Sequence, residues 1–150
     1  QKGIAALKSG CDIVTDTQMA KAGINKTILA SLGGEVHCFM SDPDVAQEAR
    51  SRGVTRAFVS MEKAAALEKP CIFAIGNAPT ALLSLEQLME EGKAAPALII
   101  GVPVGFVNVE ISKERIIEKA RAPYIVARGR KGGSNVAAAI CNALLYQIKR

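Results

Sequence analysis

Three glycine-punctuated segments constrain this chain most: Ile75-Gly-Asn-Ala-Pro-Thr80, Gly101-Val-Pro-Val-Gly-Phe106 and Arg128-Gly-Arg-Lys-Gly-Gly-Ser134. Each follows an apolar run and opens a stretch with helical spacing, so a strand–turn–helix alternation accounts for all three. In an open α/β sheet such turns gather at the carboxyl ends of parallel strands, where backbone N–H groups and helix N-termini can hold an anion. The third turn adds Arg128, Arg130 and Lys131, and the three together read as one binding floor.

The rest of the chain repeats the alternation. A first helix runs to Ser9 and stops at Gly10, Cys11 to Thr15 is a strand closing at Asp16, and Thr17 to Ala22 is a brief helix halted by Gly23. Glu35 to Met40 reads as a second strand. Asp42-Pro43-Asp44 signals a helix start, with Ser41 or Asp42 as N-cap and Val45 to Arg52 helical until Gly53; a further helix covers about Ala57 to Glu68. Pro70 to Ile75 is apolar almost throughout, the mark of a strand buried on both faces. Beyond it lie a helix carrying Leu82, Leu85 and Met89, a strand at Ala97 to Ile100, a helix at Val107 to Lys119, a strand at Tyr124 to Ala127, and a helix at Asn135 to Ile148. In that last helix Ala137, Ile140, Leu144 and Ile148 share one face. The expectation is a single α/β domain over residues 1–150, doubly wound, its mainly parallel sheet flanked by helices.

Composition fits that class. Hydrophobic residues make up 49% of the 150 and aromatic residues only 4%, with no Trp, so the core must be aliphatic. The formal charge of +5 is compatible with a polyanionic ligand. Nucleic acid is not expected, because the positive residues outside the third turn are scattered among acids and stacking aromatics are few. Cys11, Cys38, Cys71 and Cys141 are far apart without C-x-x-C spacing, which favours small buried hydrophobes over a metal or disulfide framework; no metal site is expected. No apolar stretch reaches the roughly 20 residues of a membrane helix and no signal peptide is visible, so a soluble cytoplasmic protein is expected.

The glycines spell neither G-x-G-x-x-G nor G-x-x-x-x-G-K-[ST], which disfavours a Rossmann dehydrogenase or a phosphate-loop ATPase. Asn77 sits where an N-cap belongs and Pro79 in the first turn; a structural cap explains this pair but not Thr80 beside them, nor two more turns of the same kind. Gly132-Gly133-Ser134 allows close backbone approach and a capping hydroxyl, suited to carboxylates. Arg56 enters a helix at its positive end, where a cation is unfavourable unless an anion faces it; a solvated and an anion-facing Arg56 both satisfy the sequence. His37, the only histidine, lies mid-strand without a Ser, Asp or Glu placed by sequence for a triad, and reads as structural rather than catalytic.

At these loops the chain resembles the precorrin-8X methylmutase family, which includes the cobalt-precorrin-8 enzymes. The residues that carry the resemblance are Ala5-Ala-Leu-Lys-Ser-Gly10 leading to Asp16 and Met19, Gly53-Val-Thr-Arg56, Ile75 to Leu82, Gly101 to Val107 with Glu110-Ile-Ser-Lys113, and Arg128 to Ser134. They cover essentially the whole chain. The resemblance implies an isomerase that moves a methyl group from C11 to C12 of a corrinoid ring, giving hydrogenobyrinate or its cobalt counterpart. It further implies no cofactor, a homodimer with sites near the subunit interface, and Arg56, Asn77, Thr80, Gly132, Gly133 and Ser134 as substrate-binding residues. The family's proposed proton-donating histidine belongs to an N-terminal segment expected ahead of Gln1, and His37 does not align with it, so no catalytic residue is expected within the chain. Two other readings stand beside this one: a non-catalytic corrinoid-binding protein that keeps the pocket, and an unrelated α/β enzyme binding phosphate at Gly132 to Ser134.

Overall fold

The computed structural model describes residues 2–67, 71–76, 79–92, 96–102, 124–126 and 133–148. Five strands, β1 (Asp12–Thr15), β2 (Val36–His37), β3 (Cys71–Ile75), β4 (Leu98–Gly101) and β5 (Tyr124–Val126), form one sheet in the order β2-β1-β3-β4-β5. Every pairing is parallel. Around it lie α1 (Lys2–Lys8), α2 (Gln18–Gly23), α3 (Lys26–Ser31), α4 (Pro43–Arg52), α5 (Arg56–Ala65), α6 (Pro79–Glu90) and α7 (Ser134–Ile148).

Side chains alternate across the sheet because successive strand residues point to opposite faces. Ile13, Ile72, Ala74, Leu98 and Ile100 pack with α1, α2, α3 and α7 in one core, while Val14, Cys71, Phe73, Ile75 and Ile99 pack with α5 and α6 in the other. Both faces are covered, which is why β3 is buried along its whole length. Leu82 and Leu85 of α6 are fully buried; truncating either to Ala costs about 2–5 kcal/mol. A smaller cluster of Val45, Ala49 and Val59 seats α4 on α5. All four cysteines are buried thiols outside any disulfide. Burial, together with neighbouring Cys11, pushes the Cys141 thiol up to about 12.

Local signals set the helix starts. Thr17 caps α2 by accepting from the Ala20 N–H at 3.0 Å, Asn25 caps α3 through the Ile28 N–H at 3.1 Å, and Thr55 caps α5 through the Phe58 N–H at 3.1 Å. Asp42 holds the backbone N-cap position of α4 without a side-chain cap bond. Its carboxylate instead accepts from Lys63 of α5 at 2.7 Å. Gly34 admits β2 to the sheet, since a Cβ there would overlap the Cys11 carbonyl oxygen.

Two expectations change. Helix α3 adds an element to those expected, with Asn25 as its capping signal. The second strand is only Val36–His37, because Phe39 and Met40 leave the sheet edge to pack toward α5. As expected, Ala137, Ile140, Leu144 and Ile148 of α7 pack on one core, with Ala138, Cys141 and Leu145 the more deeply buried beside them. The helix expected over Val107 to Lys119 lies outside the described residues.

Candidate functional site

The chain leaves β1 toward β2 on one side and leaves β3 toward β4 on the other, so the winding direction reverses between β1 and β3. Loops diverge at such a point and leave a crevice beyond the carboxyl ends of the two strands. Here Asp16, only 2% exposed, follows β1, and Gly76 follows β3. The Gly76 N–H donates to Asp16 Oδ1 at 2.9 Å, a buried bond across the crevice. The Thr15 hydroxyl donates to the Thr17 carbonyl at 2.9 Å, which turns the chain out of β1 and into α2.

Two further bonds extend this seam across the sheet. The Val102 N–H donates to the Ile75 carbonyl at 2.8 Å, and the Gly133 N–H donates to the Val102 carbonyl at 2.7 Å. Gly133 adopts φ +124°, a conformation that favours glycine. The described flanks of the three glycine turns therefore meet along one edge; Gly129 lies outside the described residues.

Helices α6 and α7 both start at this edge, α6 after Gly76 and α7 after Gly133 of the seam. Neither has an acidic residue in its first turn. Their positive ends are thus not offset by an Asp or Glu of their own, and an anion above them would be favoured.

The expected site residues fall unevenly on this frame. Gly133 is on the seam and Ser134 is the first residue of α7. Thr80 is in the first turn of α6; the side chains of Thr80 and Ser134, and the whole of Asn77 and Gly132, lie outside what is described. Arg56 is the exposed first residue of α5 and has no ion pair among the described residues. No described contact joins it to the seam. Asp16 went unrecognised as a site residue, although a carboxylate closing an apolar strand is a readable signal. The reading of His37 as lacking an acidic partner is corrected: Asp12 Oδ2 is 2.9 Å from its Nε2, brought there because β2 pairs with β1.

A family description, precorrin-8X methylmutase, matches residues 1–147. The chain is 49% identical to the cobalt-precorrin-8 methylmutase of Priestia megaterium, over 96% of its own length and 64% of that protein. Identity to the precorrin-8X methylmutase of Pseudomonas aeruginosa is 41%, over 95% and 68%. The crystal structure of a precorrin-8X methylmutase from Thermus thermophilus superposes with a TM-score of 0.85 at 38% identity, covering 97% of this chain and 70% of that one. The chain thus spans about two thirds of the length of the curated relatives it matches. With the family description matching residues 1–147 and the fold shared over 97% of its length, this chain belongs to the precorrin-8X methylmutase family.

Proposed function

We propose that this chain builds the corrinoid-holding part of an isomerase that moves a methyl group from C11 to C12 of precorrin-8X or cobalt-precorrin-8. The observation that carries the reading is the seam Asp16–Gly76, Ile75–Val102, Val102–Gly133 in a chain of this family. The substrate bears many carboxylates. Two helix starts without acids, an exposed Arg56 and a net charge of +5 give it complementary surroundings. Arg56, Asn77, Thr80, Gly132, Gly133 and Ser134 are its proposed contacts.

Methyl migration needs the macrocycle held in one shape and a proton delivered to a ring nitrogen. The first task suits this edge: a backbone seam fixed by buried bonds cannot follow a flexing ligand, so the ligand conforms to it. No redox cofactor enters. The higher identities are to relatives named for the cobalt substrate, which favours cobalt-precorrin-8, its cobalt arriving as part of the substrate. A cytoplasmic homodimer completes the reading. No described helix is long and apolar enough to cross a membrane, and Tyr124, 40% exposed on edge strand β5, offers a surface for a second copy.

Titration with hydrogenobyrinate, followed by its visible absorption, tests binding, and precorrin-8X conversion in the presence of the family's N-terminal segment tests turnover. Binding with conversion supports the isomerase. Uptake without conversion identifies the non-catalytic binding protein, and indifference to the corrinoid, with phosphate bound in its place, overturns the proposal.

A further inference from the structure

A second polar cluster lies on the β2 side of the sheet, four residues and so about 13 Å back along β1 from Asp16. Asp12 opens β1, and Glu35 and His37 flank Val36 at the entry to β2. The Asp12 carboxylate is nearly buried and oriented by the Glu35 N–H, which donates to Oδ1 at 2.9 Å. Its Oδ2 faces His37 Nε2 at 2.9 Å, and Glu35 Oε2 stands 3.9 Å from the same nitrogen. All three ligand atoms lie within 4.8 Å of one another.

We infer that Asp12, Glu35 and His37 form a binding site for a divalent first-row transition ion such as zinc. Bonds of about 2.1 Å in tetrahedral array place ligand atoms about 3.4 Å apart, and the observed 2.9 and 3.9 Å bracket that spacing. Two carboxylates and a neutral imidazole carry the charge that a divalent ion cancels. The single nitrogen donor and the small ligand number select zinc, cobalt or nickel over calcium or magnesium, which take six or more ligands, chiefly oxygen.

The supporting contacts are also in place. Strand pairing and the Glu35 N–H fix Asp12, while Phe39 stacks on the His37 ring at 5.5 Å between centroids and 22° between planes. Glu35, its side chain 77% exposed, closes the site from the solvent side and leaves a fourth position for water. A hydrogen bond links Asp12 to His37, and strand spacing puts Glu35 on the same face as His37, two residues away, so all three reach one position. Loading displaces any proton held between Asp12 and His37.

Metal-stripped protein titrated with zinc chloride in a calorimeter should bind one equivalent. Glu35→Gln, an exposed change that leaves the metal-free melting temperature in place, should weaken binding about tenfold or more. His37 is the only histidine, so one pair of imidazole nitrogen signals reports the ion directly, and Nε2 should shift on zinc addition. Cobalt(II) loading should give no thiolate charge-transfer band. Absence of saturable binding, equal affinity in Glu35→Gln, an unmoved Nε2 signal or a thiolate band would each overturn the inference. None of these readouts involves a corrinoid, so the outcome is separate from that of the proposed function.

Discussion

The carboxylate of Asp16 accepts a 2.9 Å hydrogen bond from the backbone N–H of Gly76, sixty residues later, and so closes the crevice between β1 and β3. The bond is buried, so its loss leaves an amide with no water to replace the acceptor. Asp16→Ala should destabilise the fold by about 1–3 kcal/mol in urea titration. Asp16→Asn, which keeps an oxygen in place, should cost clearly less; equal losses in the two variants would show that charge, not the Gly76 bond, is what matters.

Arg56→Ala separates ligand binding from folding. The side chain is exposed and unpaired among the described residues, so stability should stay within about 0.5 kcal/mol of the parent. A lost charge-assisted contact of about 1.5 kcal/mol or more corresponds to roughly tenfold weaker hydrogenobyrinate binding. Unchanged affinity would make Arg56 a surface residue.

Asn142 of α7 clamps the turn between α2 and α3. Its Oδ1 accepts from the Asn25 N–H at 2.7 Å and its Nδ2 donates to the Gly23 carbonyl at 2.8 Å. Asn142→Ala should cost about 1–3 kcal/mol, two net hydrogen bonds. Asn142→Asp, which keeps the acceptor alone, should fall between, as read by thermal and urea unfolding.

Lys63 ties α5 to the start of α4, and its charge gives stability a pH dependence. Hydrogen bonding to Lys63 holds Asp44 below its ordinary value of 3.8, while bonding first to Asp42 and then to Asp44 raises Lys63 above its ordinary 10.5. The Asp44 contribution is therefore present above pH 4 and lost as pH falls through the lowered value. The Lys63 contribution is present below pH 10 and lost as pH rises through the raised one. Both groups are solvated, so the effect is small. Lys63→Met should flatten both limbs of the stability–pH curve; unchanged limbs would show that the pairs contribute nothing.

What the sequence disclosed follows from physical range. The apolar runs at Cys71–Ile75 and Leu98–Gly101 announce strands buried on both faces, because every residue must be apolar when both sides are covered. Helix α6 declares itself through Leu82, Leu85 and Met89. Helix α3 was hidden because six residues give less than two turns of periodicity, and β2 was overdrawn because apolar Phe39 and Met40 serve a helix contact instead of the ladder. The site was legible where glycine marks a turn, as at Gly76 and Gly133. It was not legible where residues meet across strands: nothing local to Asp12 says that β2 will lie beside β1, so the contact with His37, twenty-five residues away, appears only with the strand order.

The Asn142 clamp also has a temporal meaning. It spans 117 residues, from the turn before α3 to the last helix of the described chain. On a ribosome that makes about 5–20 residues per second, the early helices emerge well before their fastener exists. The amino-terminal half must wait, loosely assembled, until α7 leaves the exit tunnel and latches it.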